Sequence, residues 1–275
     1  MDFSRSSLVL LGHGSTRNTH SSDPVRRLTA HFAACGPFAG AHCGFLRESP
    51  DISAALRSAT GGEVFVVPYF LSEGYFTSEI IPAQTGLQPG VNLRGGQTFY
   101  VCPPVGTHPA MTPLLRQTIL RACEGLPSLV PSQCCLFLAG HGTVQNENSS
   151  VPVRTLVKSL PSSLPPFADV QPLFLDEEPL IRDWGTKTSA PQVLVVPYFL
   201  SDGLHAGADI PRLLGFDVEG SGWNDLFYGP HPAEFLTGSA QGKTVFYTHA
   251  IGARPEMTEV VLRLCESLCS HGHRG

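Results

Sequence analysis

The heptapeptide Val66-Val67-Pro68-Tyr69-Phe70-Leu71-Ser72 returns without change as Val195-Val196-Pro197-Tyr198-Phe199-Leu200-Ser201, and each copy is followed by an acid and a glycine. An exact internal repeat constrains folding more than any composition figure, because whatever one half folds into the other must also accommodate. Further pairs keep nearly the same spacing. Leu11-Gly12-His13-Gly14-Ser15 matches Ala139-Gly140-His141-Gly142-Thr143, and Phe45-Leu46 with Pro50 matches Phe174-Leu175 with Pro179. A last pair, beginning Val105-Gly106-Thr107 and Ile251-Gly252-Ala253, is set further apart, so the second half carries an insertion, placed within 215–243. The chain therefore reads as two tandem repeats, 1–127 and 132–275, joined through the proline-flanked segment 127–131.

Within each repeat the apolar runs are short and continuous, at 8–11, 64–67, 135–139 and 193–196. Runs of this kind, bounded by Gly or Pro, predict strands buried on both faces in a parallel sheet. The spacing at 24–34, 52–59, 111–123 and 257–268 predicts the helices that cross between them. The fold class is α/β, with two lobes, each a short parallel sheet flanked by helices, and a cleft between them. Charged residues are only 15% of the chain and the net charge is −5, which leaves no basic footprint for nucleic acid. No apolar run approaches the ~20 residues of a membrane span. Neither nucleic acid nor a membrane is an expected partner, and a cytoplasmic monomer or homodimer is expected. The eight cysteines form no Cys-x-x-Cys pair and read as reduced core residues, apart from a terminal group, Cys265, Cys269, His271 and His273, read as a frayed tail.

Ligands of parallel α/β sheets bind beyond the carboxyl ends of the strands, and the repeated motifs fall there. His141 lies between two glycines directly after a strand. His205 follows the second Pro-Tyr-Phe-Leu-Ser turn, in Gly203-Leu204-His205-Ala206-Gly207-Ala208-Asp209-Ile210-Pro211. Two imidazoles and a carboxylate at one edge suit a divalent first-row metal. The acid comes from the run Asp176, Glu177, Glu178 after Leu173-Phe174-Leu175. In the first repeat Phe76 stands for His205 and Ile80 for Asp209, so a metal pair is not completed there and the chemistry is assigned to the second repeat. Tyr75 and Phe76 are suited instead to the face of an aromatic or macrocyclic ligand. A histidine phosphatase also begins with a strand and His-Gly but needs Arg before the His, where this chain has Gly12 and Gly140.

Gly-His-Gly-Ser after the first strand, Phe-Leu with an acid and Pro, Val-Pro-Tyr-Phe-Leu-Ser-x-Gly-x-His and Asp-Ile-Pro resemble the class II chelatases, the sirohydrochlorin cobalto- and ferrochelatases of the CbiX/SirB type, here in two-repeat form. The resemblance implies ATP-independent insertion of Co²⁺ or Fe²⁺, with Ni²⁺ within the same ligand preference, into sirohydrochlorin or a related tetrapyrrole in cobalamin or siroheme biosynthesis. It implies no permanently bound cofactor, the metal being a substrate. Carried over by position, the metal ligands are His141 and His205, and the acid is Asp176, with Glu178 kept as a second catalytic candidate. The carboxylate and one imidazole would accept the two pyrrole protons. A non-catalytic metal or tetrapyrrole carrier with the same fold is the competing expectation.

Overall fold

The computed structural model describes residues 2–16, 18–143, 150–220, 223–229 and 232–272. It divides into two compact units, Met1–Met111 with Arg254–Gly275, and Thr112–Ala253. The first unit contains β1 (Ser6–Gly12), α1 (Asp23–Cys35), β2 (Gly40–Phe45), α2 (Ile52–Ser58), β3 (Glu63–Pro68), α3 (Ile81–Thr85), β4 (Gly90–Arg94) and β5 (Gln97–Val101). Then follow α4 (Met111–Gly125), β6 (Cys134–Gly140), α5 (Val151–Ser159), β7 (Asp169–Phe174), β8 (Gln192–Pro197), α6 (Ile210–Leu213), α7 (Trp223–Tyr228), β9 (Phe235–Ala240), β10 (Lys243–Thr248) and α8 (Met257–Gly272).

The two sheets have one topology, β2-β1-β3-β5-β4 and β7-β6-β8-β10-β9. Four strands of each are parallel, and only the outermost, β4 or β9, runs antiparallel. Every residue of β1 and of β6 is buried, which is why these strands read as unbroken apolar runs and not as alternating ones. The helices begin where local chemistry favours them. Pro24 sits in the first turn of α1, and Val25, Leu28 and Phe32 turn one buried stripe to the sheet. Asp51 caps α2 by accepting the Ala54 amide at 2.6 Å.

The compact units are not cut where the sequence repeats are. The last helix of each repeat is exchanged: α4 lies in the unit of the second sheet, and α8 in the unit of the first, where it packs on β3 and on the Val105–Thr107 turn. The segment 127–131, read from sequence as the joint, sits wholly within the second unit. Gln192 at the start of β8 accepts the Val130 amide and donates to the Ser128 carbonyl, at 2.8 and 2.7 Å.

Left-handed residues bracket the insertion. Gly86 and Gly215 share positive φ at matching places after α3 and α6, and the β4–β5 turn Gly95-Gly96 is matched by Gln241-Gly242, all four with positive φ. Spacing is conserved up to Gly215 and shifted at Gln241, and β9 has its counterpart in β4. The added residues therefore lie between Gly215 and β9. They build α7, whose Trp223 and Phe227 stack at 5.2 Å and join the core of the second unit. In the first unit the corresponding place is a cavity of about 220 Å³ lined by Ser78, Val101 and Pro103 among others. Their counterparts Gly207, Tyr247 and His249 are instead covered by α7 aromatics.

All eight cysteines are free, and five are buried. Burial first of all pushes the Cys134 and Cys135 thiols up to about 12, so both are unreactive packing groups. The terminal group expected to be frayed is helical through Gly272: Cys265 and Cys269 are buried in α8, because the apolar stripe of that helix packs into the first unit, while the His271 side chain and His273 lie outside the described residues. Among the described residues no helix is long and apolar enough to cross a membrane.

Candidate active site

The Gly-His-Gly turn at the end of β6 shows why both glycines are needed. A Cβ on Gly140 would stand 3.0 Å from Val153 and 3.2 Å from the Phe174 ring, so the first glycine serves close packing of helix on strand. Gly142 has φ +66°, and a Cβ there would meet Glu177 at 2.5 Å. Between them the backbone turns His141 outward at the strand end. Its Nδ1 lies 2.8 Å from the Gly142 carbonyl oxygen and 3.4 Å from Asp176 Oδ2. Both neighbours only accept hydrogen bonds, so in the neutral ring the proton sits on Nδ1 and Nε2 is the lone-pair nitrogen.

His205 opens a wide helical turn, His205–Asp209, that leads into α6. Its Nδ1 faces Asp209 Oδ2 at 2.8 Å, an acceptor that in the neutral ring selects the Nδ1–H tautomer and leaves Nε2 as the lone-pair nitrogen. Side chains beneath the turn satisfy its carbonyls: Tyr247 donates to Ala206 at 2.6 Å and Trp223 donates to Gly207 at 3.0 Å. The insertion thus supports the segment that carries His205. The imidazoles meet edge to face, centroids 5.0 Å apart and planes at 89°. Their side chains are 45% and 44% exposed, open enough to meet a ligand. Beside them is a hollow of about 310 Å³ lined by Leu175, Asp176, His205, Asp209, Arg212 and Leu213.

The three consecutive acids have three different surroundings. Asp176 is the one beside His141, and its amide donates to the His141 carbonyl at 3.1 Å. Glu177 turns under the loop, where it pairs with Arg154 at 2.7 Å and accepts the Thr143 amide at 3.0 Å. Glu178 accepts the Leu180 amide at 3.3 Å and lies 3.7 Å from Lys187 Nζ. Arg154 is committed to Glu177 and to the Phe174 ring, 4.7 Å away. Arg212 pairs with Asp209 and Glu219, and Arg17 lies outside the described residues.

Burial would raise the Glu177 carboxyl, but hydrogen bonds from Arg154, Ser150 and the Thr143 amide outweigh it and hold the group below its ordinary value near 4.5. A lowered folded pKa contributes stability that is complete above that ordinary value and is lost as pH falls through the folded one. Glu177→Gln should lower unfolding free energy by about 1–3 kcal/mol at neutral pH. In denaturant titrations its difference from the unsubstituted protein should shrink as pH is taken below 4.5.

The first unit repeats this frame with its chemistry replaced. His13 Nδ1 faces the Gly14 carbonyl at 2.8 Å, and Glu48 pairs with Arg26 at 3.0 Å as Glu177 does with Arg154. Phe76 occupies the place of His205, edge-on to His13 at 4.8 Å and 87°. Arg47, whose amide donates to the His13 carbonyl, stands where Asp176 stands in the second unit. The exchange of Asp176 for Arg47 is visible in the aligned repeats as Phe-Leu-Asp against Phe-Leu-Arg, a signal that attention to the histidines overlooked. Among the described residues, no group of three or more His, Cys, Asp or Glu side chains is gathered so that it could hold a metal ion, and the His141–His205 pair offers two donors.

The family model described as CbiX matches residues 7–122 and then 135–268, both copies of the repeat. The chain belongs to the CbiX family. A probable sirohydrochlorin cobaltochelatase of Halobacterium salinarum is 30% identical over 272 residues, covering 93% of this chain and 89% of that protein. The solved structure of SirB from Bacillus subtilis with Fe³⁺ matches with a TM-score of 0.65 at 14% identity, covering 98% of this chain and 97% of that one. DR2241 of Deinococcus radiodurans, a multi-domain protein with structural similarity to chelatases, matches with a TM-score of 0.70 at 24% identity over 95% of this chain. This chain spans about half of that protein, 55%. The structural likenesses establish a two-unit chelatase fold, and the two family matches agree with the sequence repeat. In this CbiX-family chain the two copies are thus alike in backbone and divergent in the side chains presented at the strand ends.

Proposed function

We propose that this chain inserts a divalent metal ion, Co²⁺ or Fe²⁺, into sirohydrochlorin or a closely related tetrapyrrole, without ATP, in cobalamin or siroheme biosynthesis. The observation that carries the reading is the pair His141 and His205, edge to face at 5.0 Å with each Nδ1 engaged by an acceptor, in a chain of the CbiX family. Two neutral imidazole donors favour borderline ions such as Co²⁺ and Fe²⁺ over Mg²⁺. The ion is a substrate, and no resident cofactor is invoked. Co²⁺ is the first ion to test, since the Halobacterium relative is named for cobalt. A cytoplasmic location is in keeping with eight free thiols.

In this mechanism His141 and His205 hold the ion through Nε2. As the metal enters the ring, two pyrrole N–H bonds break, four metal–nitrogen bonds to the macrocycle form, two of them at the deprotonated nitrogens, and the bonds from the ion to the imidazoles break. Asp176 takes one proton. The other goes to the Nε2 lone pair that an imidazole regains when it hands over the ion. Glu177 and Arg154 keep the Asp176 loop in place, and Glu178 is the lesser acid candidate, directed to Leu180 and Lys187.

The test is anaerobic incubation of sirohydrochlorin with Co²⁺ or Fe²⁺, followed by the change in tetrapyrrole absorption. A rate well above the protein-free reaction is expected. A protein that binds metal and macrocycle but leaves that rate unchanged is a carrier, and the chelatase reading fails.

A further inference from the structure

We infer that Asp209 is a positioning residue for metal insertion, fixing His205 in the tautomer and orientation that present Nε2 to the ion. The inference rests on the reading of His205 as a metal ligand. Asp209 Oδ2 lies 2.8 Å from His205 Nδ1, four residues back on the same turn. Its other oxygen, Oδ1, is 3.5 Å from Arg212, which is anchored in turn by Glu219 at 2.6 Å. A carboxylate behind a ligating imidazole fixes ring orientation and raises donor basicity, and losing such a partner commonly weakens metal binding by about 10–100-fold.

The ordinary alternative is that Asp209 merely stabilises the turn. The first unit supplies an internal comparison against it. There the wide turn Phe76–Ile80 forms and leads into α3 just as His205–Asp209 leads into α6, with Ile80 in place of the acid. The backbone conformation therefore does not require a carboxylate. The acid is present in the copy that has the imidazole and absent in the copy where Phe76 replaces it. Arg212 likewise has Ala83 as its counterpart. The group Asp209 serves is thus the ring of His205.

The experiment uses the full chain with His205→Ala, Asp209→Ala and Asp209→Asn. Co²⁺ affinity is read by titration, and the ring tautomer of His205 by long-range ¹⁵N–¹H correlation at alkaline pH, where imidazole is neutral. Asp209→Ala should weaken Co²⁺ binding by about 10–100-fold and shift the His205 ring toward the Nε2–H form. Asp209→Asn should keep the Nδ1–H form through its amide oxygen and lose less affinity. An unchanged tautomer with unchanged affinity in Asp209→Ala overturns the inference. So does an affinity loss with no tautomer change, which marks a structural role. A Phe76→His/Ile80→Asp double substitution reads the same relation in reverse, since its introduced ring should be held as Nδ1–H where Phe76→His alone is not. If His205→Ala itself leaves Co²⁺ affinity intact, the metal-site reading has failed and not the inference about Asp209 alone.

Discussion

His141→Ala and His205→Ala should each lower kcat/KM for metal insertion by at least about 10²-fold, and the double substitution should fall little further than either alone. Removing one imidazole leaves a single neutral nitrogen donor beside Asp176, and it deletes one of the groups able to receive a pyrrole proton, a role worth about 10²–10⁴. Groups that act as a unit lose their effect together, so strict additivity is not expected. His13→Ala gives the contrast. His13 has the same backbone setting and the same Nδ1 partner, but it faces Phe76 in place of a second imidazole, and the residue at the position of Asp176 is Arg47. Its removal should change turnover by no more than about two- to threefold, the scale of a surface substitution. Anaerobic progress curves on the three single variants, the double variant and the unsubstituted chain check this directly, and a larger loss in His13→Ala would reassign the active copy.

Trp223→Ala should be the most damaging substitution outside the histidine pair. Trp223 is 8% exposed, and its ring stacks on Phe227 at 5.2 Å and donates to the Gly207 carbonyl at 3.0 Å. Truncating a buried tryptophan costs about 3–5 kcal/mol through lost burial and the cavity left behind. Here the carbonyl released belongs to the turn between His205 and Asp209, so activity should fall with stability. Trp223→Phe restores most of the apolar volume but not the donor, and should cost about 1–3 kcal/mol. Thermal unfolding and turnover measured on both variants separate the two contributions. Activity that survives Trp223→Ala unchanged would detach the insertion from the site.

Four of the ten strands, and the long helices, were legible because each depends on local pattern. The unbroken apolar runs became β1, β3, β6 and β8, and the stripes at 111–123 and 257–268 became α4 and α8. The exchange of those two helices was not legible, since an amphipathic stripe states that a face is buried and not which sheet buries it. The edge strands β4 and β9 were also missed. β4 leaves Val91 and Leu93 exposed and lacks an apolar run, and its signal was the Gly95-Gly96 turn, whose two positive φ angles suit a tight hairpin. The histidines stood out through their glycines and their repetition. The acid did not, because three carboxylates in a row differ only in how the loop after Phe174 directs them. That direction comes from Arg154 and the Thr143 amide drawing in Glu177, which leaves Asp176 next to His141.

On the proposed function the second repeat alone should hold the metal, through two imidazoles. The most direct measurement is the visible d–d spectrum of Co²⁺ titrated anaerobically into the unsubstituted chain, His13→Ala and the His141→Ala/His205→Ala double variant. The bound spectrum should be the same in the unsubstituted chain and His13→Ala, and absent from the double variant. A spectrum that persists in the double variant and disappears in His13→Ala would contradict the account.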